Sequence, residues 1–354
     1  MHDKATPVQR DCRGVAVLSI PLPFIVGLVF ALTLYRNLKG VETPGSKRYF
    51  TVFLIAYALQ GIIIGLRFGY GVGWLHLVQP ATAAAMPPLA YLAFRSLAAI
   101  RSEKPWLHVL PFLAVAMAVA FFPFLTDLLL MTTFIAYGVL LYRFTYDHPD
   151  AVAETPLPRM LPALRAARLC AVLLLFFGLT DAGLAAFTFV YGNEAVPAVV
   201  TAMNIAVLVT VAIYGLAPQI FGREPPAAEP EQTVPSAEDQ ALLIRIQEAL
   251  DTKDLYRQED LSLAKLARRV GAPARDVSAA INRATGLNVS QFVNNRRIRE
   301  VCRLLEETDQ PLTTIMLDAG FATKSNFNRE FRRVTGMSPS EWRSKLRASL
   351  ISKT

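Results

Sequence analysis

Asp181 stands about half-way along the apolar run 168–190, where an ionisable side chain needs a reason to be. A carboxylate at bilayer mid-depth costs roughly 2.5–3.5 kcal/mol on insertion scales, so it calls for a partner, water or a proton. Asn204 lies near the middle of the run 196–216, Gln60 near the middle of 50–67, and Gln79 within 72–94. Turned to one side of a helical bundle, Asp181, Asn204 and Gln60 would make a polar ligand pocket. The same groups would serve equally as hydrogen bonds from helix to helix. No Lys or Arg is expected at the depth of Asp181, so a proton or a cationic ligand is what its charge calls for. His76 and His108 fall near run ends, which suits interfacial packing. Ser19 and Ser96 have no histidine and acid at matching depth, which speaks against an intramembrane protease. Cys12, Cys170 and Cys302 are far apart and give neither metal-ligand spacing nor a disulfide framework. No catalytic constellation, metal site or cofactor is expected.

The elements that carry these groups are long and greasy. The 354 residues are 53% hydrophobic and 18% charged, with a mean hydropathy of +0.36, too apolar for a pair of ordinary soluble domains. The bias is uneven: residues 1–222 hold 25 charged side chains and residues 223–354 hold 39. The net charge of +8 divides as +5 and +3 between them, so basicity alone does not argue for nucleic acid. Crossing a hydrocarbon core of ~30 Å takes ~17–25 apolar residues. Seven runs qualify, at about 15–35, 50–67, 72–94, 106–123, 126–142, 168–190 and 196–216. The first is too long, and lacks the small-residue site, for a cleaved signal peptide. Prolines 21, 23, 80, 87, 88 and 111 can kink these spans.

Loop charge sets the orientation. With seven spans and the C-terminus inside, the loops 36–49, 95–105 and 143–168 carry eleven Lys and Arg. The outer side carries Lys4, Arg10, Arg13 and Arg67. This places the N-terminus outside and the C-terminal part in the cytoplasm. The outer loops near 68–71, 124–125 and 191–195 are too short for a sensor domain, so any signal must come through lipid, the bundle or a partner. Residues 217–236, with Pro218, Pro225, Pro226, Pro230 and Pro235 among glutamates, form a tether. Twenty residues in a polyproline-like state reach ~60 Å.

After the tether, helical periodicity returns. Leu242, Ile244, Ile246 and Leu250 begin an amphipathic helix. Residues 261–271 form a short helix ending at Gly271, and a second helix runs from Pro273 to Gly286 with Val277 and Ile281 inward. Two short helices across a glycine turn make a helix-turn-helix pattern. The pattern then recurs: Leu312–Phe321 repeats the first helix and its turn, and Lys324–Val334 repeats the second with Phe327 and Phe331 inward. Ile281–Gly286 corresponds to Phe331–Gly336, fifty residues on, and Phe292 to Trp342. Between them an uninterrupted helix over 289–308 spans ~30 Å. It can hold two recognition helices about one DNA turn, ~34 Å, apart. Arg296, Arg297 and Arg299 on this connecting helix can touch phosphate without reading sequence. A solvated face, or pairing with Glu300 and Glu306, is the plainer reading.

Gly320-Phe321, Phe327, Asn328-Arg329, Phe331-Arg332, Gly336, Ser338-Pro339 and Trp342-Arg343 resemble the signature of the AraC/XylS family of transcription regulators over about residues 241–347. That family usually carries a soluble N-terminal module, which this chain replaces with apolar spans. The resemblance implies base-facing positions at Lys324, Ser325, Asn328 and Arg329 in the second unit, and at Arg275, Asp276, Ser278 and Ala279 in the first. Arg suits a bidentate pair with guanine and Asn with adenine. Ala279 replaces a residue that is commonly Arg in the family, and Ile281 a usual Phe, so Arg275 is the main reader expected of the first unit. For Arg297 the family pattern also allows a structural role.

The expected fold is therefore all-α: a seven-helix transmembrane bundle over 1–216, a linker over 217–236 and a tandem helix-turn-helix domain over 237–350. The expected function is a membrane-anchored, sequence-specific transcription regulator, not an enzyme, whose bundle senses a signal. A bundle that serves only as anchor or dimerisation module is the alternative, as is a transporter-like protein with a DNA-binding tail. Expected partners are promoter or operator DNA, the lipid bilayer, RNA polymerase, a second copy of the chain, and a small-molecule or membrane signal.

Overall fold

The computed structural model describes residues 46–98, 104–147, 151–192, 196–216 and 235–351, together with helical residues 25–29, 32 and 35. Most of the run 15–35 and nearly all of the tether lie outside the described residues. Among those described the chain is helical, with a single isolated bridge between Pro156 and Ser262.

The N-terminal half is a bundle of α1 (Ser46–Ile64), α2 (Leu75–Arg95), α3 (Leu110–Phe121), α4 (Thr126–Asp147), α5 (Met160–Tyr191) and α6 (Val196–Leu216). Helix α2 packs against α1, α3 and α4. Its buried side includes Ala81, Ala84, Ala90 and Ala93, whose small size lets neighbouring helices approach. That enclosure accommodates Pro80, Pro87 and Pro88 inside one helix. Helices α4 and α5 make the closest pair. A Cβ on Gly138 would meet Leu175 Cγ at 2.8 Å, and one on Gly178 would meet Ile135 Cγ1 at 2.8 Å. Both glycines thus serve close approach, and the two helices form one tightly packed hairpin.

Among the described residues three helical stretches are long and apolar enough to cross a membrane: Arg48–Gly69, Pro123–Tyr146 and Leu157–Tyr191. Pro105–Phe121 and Ala198–Ile213 are shorter apolar helices. The last long stretch begins earlier than the run 168–190, because Pro158 and Pro162 fall near its start, where a missing N–H costs little. Arg165 and Arg168 are therefore helical rather than loop residues. Arg67 also departs from expectation. The end of α1 widens into a π-helical turn over Gly65–Gly69, which carries Arg67 into the bundle instead of an outer loop.

The bundle and the C-terminal part differ in what they expose. Leu28, Ile55, Trp74, Trp106, Phe124, Leu179, Phe189 and Tyr191 are among many exposed large apolar side chains of the bundle. Among the described side chains between residues 235 and 348 the exposed large apolar ones are Ile244, Leu317 and Val334.

The C-terminal part comprises α7 (Ala237–Thr252), α8 (Leu263–Val270), α9 (Ala274–Thr285), α10 (Val289–Glu307), α11 (Leu312–Asp318), α12 (Lys324–Thr335) and α13 (Pro339–Ile351). Two apolar cores flank α10. One gathers Ile246, Leu250, Leu261, Leu266, Val277 and Ile281; the other gathers Ile298, Ile315, Phe321, Phe327 and Phe331. Gly286 and Gly336 end α9 and α12 in the left-handed conformation, at φ 69° and 79°. Helix α7 starts with a capping box, Ser236 with Asp239, and α10 with Asn288 and Gln291.

Helix α10 ends at Glu307, with Thr308 as its cap. The loop between α4 and α5 belongs to both halves. Its Ala151 and Val152 join the bundle core, whereas Ala153 and Leu157 join the core of the first helix-turn-helix unit.

Candidate nucleic-acid interface and bundle cavity

The two units are locked to one another around Arg297, which is fully buried and the largest such side chain. Its Nε donates to Tyr256 O at 2.6 Å, Nη2 to Gln258 O at 2.8 Å and Nη1 to Asn294 Oδ1 at 3.4 Å. Its guanidinium lies 5.5 Å from the centre of the Phe321 ring. Burial pulls the Arg297 pKa down to about 10, which leaves it charged at neutral pH. Arg297 is thus a structural clamp and does not reach phosphate. Gly320 completes the joint. At φ 86° it sits so close to the first unit that a Cβ would lie 2.6 Å from Arg257 O and 2.7 Å from Tyr256 O. Nearby, Glu300 pairs with Arg257 and Arg303, both at 2.8 Å, and its pKa is held down chiefly by Arg303.

The positions implied to face DNA line up on the free sides of the second helices. Lys324, Ser325, Asn328 and Arg329 are all exposed on α12. Arg329 is 66% exposed, and its guanidinium rests on Asn326 Oδ1 at 2.6 Å and Glu330 Oε1 at 3.1 Å. On α9, Arg275 and Asp276 are exposed, and Ser278 and Ala279 are half-buried. Among the described residues nothing covers the α12 face, while the α9 face is shallower. Arg299 on α10 is exposed. Arg296 is only 25% exposed: its Nε donates to Asp251 Oδ1 at 2.6 Å and its guanidinium stacks 4.3 Å from the Tyr256 ring. That pairing ties α10 to α7, and it makes Arg299 the freer candidate for phosphate.

Sequence reasoning did not single out the contacts that brace this face. Asp239 caps α7 and also grips Arg283 of α9 through two bonds, at 2.9 and 2.5 Å. The Arg283 bond, joined by the Ser236 cap, pulls the Asp239 carboxyl down to about 2. The capping pattern Ser236-x-x-Asp239 ahead of an apolar run was its available signal.

The second site is a cavity of about 380 Å³ in the bundle. Asp181, Asn204 and Gln60 all line it, joined by Gln79, Asp127 and Arg67. Phe53, Tyr57, Phe134, Leu173, Leu174 and Phe177 supply much of its apolar wall. Gln60 is buried and accepts from Thr82 Oγ1 at 2.7 Å, so its amide joins α1 to α2. Asn204 Nδ2 donates to Val200 O of its own helix at 2.7 Å. Arg67 donates to the Gln79 side-chain oxygen and lies 4.8 Å from the centre of the Phe68 ring. The cavity thus holds an arginine where none was expected, yet among the described residues that arginine bonds an amide and forms no salt bridge with Asp127 or Asp181. Outside the cavity, His108 Nδ1 meets Tyr137 OH at 2.8 Å, while His76 contacts Gly73 O at 2.6 Å. Among the described residues no group of His, Cys, Asp or Glu is arranged to hold a metal, and Cys170 and Cys302 are free thiols.

Comparison with known proteins places the C-terminal part. A family model described as a helix-turn-helix domain matches residues 266–345. An "Uncharacterized HTH-type transcriptional regulator" of Staphylococcus aureus is 30% identical over 99 residues, 28% of this chain and 13% of that protein. The HTH-type transcriptional activator RhaS of Pectobacterium carotovorum is 28% identical over 85 residues, 24% of this chain and 30% of that protein. The matched stretch therefore spans less than a third of these relatives' length. No solved structure matches the chain. What the comparisons and the paired units establish together is that the chain carries an AraC-type helix-turn-helix domain at its C-terminal end, similar to those of transcription regulators.

Proposed function

We propose that this chain is a membrane-embedded, sequence-specific transcription regulator that reads DNA on the cytoplasmic face of the bacterial inner membrane. The observation that carries the reading is the contrast in exposed surface. The bundle turns large apolar side chains outward on helices of spanning length, and the DNA-binding domain does not. Trp74, Trp106 and Tyr191 stand near helix ends, where amphipathic rings favour the membrane interface. In this reading the run 15–35 and α1–α6 make up the seven spans, and positive charge concentrates on the cytoplasmic side. A chain oriented this way requires its C-terminal part inside. A reporter of alkaline phosphatase fused after Arg223 is expected to be inactive, and phosphatase activity at that junction would sink the reading.

The cavity is the sensory site in this proposal. Its shape and lining suit a small amphiphile: an apolar body against the phenylalanines and leucines, and a polar head among Asp127, Asp181, Asn204 and Arg67. Two carboxylates face one guanidinium there, which favours a head group with positive charge. The competing reading, a bundle that only anchors, is tested by replacing residues 1–216 with one inert span. Promoter response surviving that exchange would remove the cavity from the mechanism. Through Lys324, Ser325, Asn328 and Arg329, with Arg275 in the first unit, the domain reads bases in the major groove. Arg299 adds phosphate contact, and RNA polymerase and a second copy of the chain are the protein partners of such a regulator.

A further inference from the structure

The α4–α5 loop is built into the first helix-turn-helix unit, and we propose that it carries the state of the bundle cavity to the DNA-binding domain. This regulation rests on the sensory reading of the cavity.

The loop alternates between the two halves. Ala151 and Val152 lie 1% and 2% exposed in the bundle core, while Ala153 and Leu157 lie 0% and 3% exposed in the core that holds Leu261, Leu266 and Ile281. Met160, the first residue of α5, packs against both cores. The join is also hydrogen-bonded. Ala264 N–H, a first-turn donor of α8 with no partner inside its own helix, donates to Ala153 O at 2.9 Å. Leu157 N–H donates to Leu261 O at 2.9 Å, and Glu154 N–H donates back to Leu97 O, just past α2, at 3.0 Å. Arg268 Nη1 pairs with Glu154 Oε1 at 2.9 Å. The loop therefore caps the first helix of the unit and fills part of its core. Thr155 is fully buried there, and among the described residues its hydroxyl has no partner, a cost that the docked arrangement carries.

The same hairpin walls the cavity. Asp127, Leu130 and Phe134 come from α4, and Leu173, Phe177 and Asp181 from α5. Gly138 and Gly178 bring the two helices into direct contact, so the hairpin moves as a unit. A ligand that displaces its cavity end displaces its loop end, and with it the cap and core of the first unit. Docking leaves Arg275 and Lys324 to Arg329 uncovered apart from the buried Asn326 and Phe327, so the loop acts by holding the first unit in shape and place, not by covering the DNA face.

The test uses the full chain in phospholipid nanodiscs and amide hydrogen exchange, with cavity filling as the probe. Glu154→Arg is expected to speed exchange in residues 261–267 at least tenfold, and Glu154→Arg with Arg268→Glu to restore it. Ala153→Asp gives an independent undocked form. Asn204→Trp, which fills the cavity, is expected to change exchange at 127–134 and 177–185 and also at 261–267, the latter change vanishing in the Ala153→Asp background. If Asn204→Trp alters the cavity helices but not 261–267, the coupling is wrong and the cavity reading stands. If it alters neither, the cavity is not a deformable site and both fall. Unchanged exchange at 261–267 in Glu154→Arg and Ala153→Asp alike would show that the loop does not dock.

Discussion

Replacing Arg297 by methionine is expected to loosen the joint between the two helix-turn-helix units without touching DNA-facing residues. Methionine keeps much of the volume but none of the donors. Tyr256 O and Gln258 O are then left without the bonds they accept at 2.6 and 2.8 Å. A buried acceptor left unsatisfied costs ~1–3 kcal/mol, so two cost about 2–6 kcal/mol. Removing a desolvated charge returns part of that. The net expectation is about 2–4 kcal/mol, a large share of the ~5–15 kcal/mol that holds a domain together. At ~1.4 kcal/mol per factor of ten, amide exchange within the joint should accelerate roughly 30- to 700-fold. Exchange measured by mass spectrometry on the full chain localises the effect to residues 255–258 and 319–331. Arg297→Lys retains charge but not the planar fork, and should fall between wild type and methionine. Exchange in Arg297→Met within threefold of wild type in both segments would refute the clamp.

Gly320→Ala should destabilise the same joint by roughly 2–4 kcal/mol, because its φ of 86° and the 2.6 Å approach to Arg257 O leave no room for a methyl group; wild-type exchange at 255–258 and 319–331 would contradict this. The Asp239–Arg283 grip should be fully present above the ordinary carboxylate pKa near 4. It should be lost as pH falls toward about 2, since the folded carboxyl titrates below the unfolded one. Asp239→Asn should therefore weaken protection of α7 at pH 5–7 and narrow its difference from wild type in acid; equal protection at neutral pH would show that the pair does not hold α7 to α9. Arg329→Ala should cost about 1–3 kcal/mol on an operator fragment and relax one base position. Arg299→Ala should weaken all sequences alike and flatten the salt slope by about one unit. Equal losses on operator and random duplex for Arg329→Ala would remove it from base readout.

The helix-turn-helix pair was legible because its information is local and repeated. Gly271, Gly286, Gly320 and Gly336 mark turns and helix ends whose conformation favours glycine, and Val277, Ile281, Phe327 and Phe331 recur at helical spacing. Among the described residues the apolar runs 50–67, 126–142 and 168–190 were legible for the same reason, although their ends were not: Pro162 read as loop and proves to lie in the first turn of α5. Asp181, Asn204 and Gln60 stood out by chemical type, and all three line one cavity, each from a different helix. Arg67 was hidden because a π-helical turn rotates it inward, and no period of 3.6 reports such a turn. The docking of Ala153 and Leu157 was hidden more deeply. It joins residues more than a hundred positions apart through backbone bonds, which any sequence can make and none advertises.

On this proposal one chain sits in the membrane and holds specific DNA at once. Intact cells crosslinked with formaldehyde, then fractionated, test it directly: the chain is immunoprecipitated from carbonate-washed membranes and its DNA is sequenced. Discrete promoter fragments should be recovered from the membrane fraction with wild type and lost with Arg329→Ala. A chain released by the carbonate wash, or membrane-bound chain carrying no fragment enriched over the Arg329→Ala variant, would contradict the account.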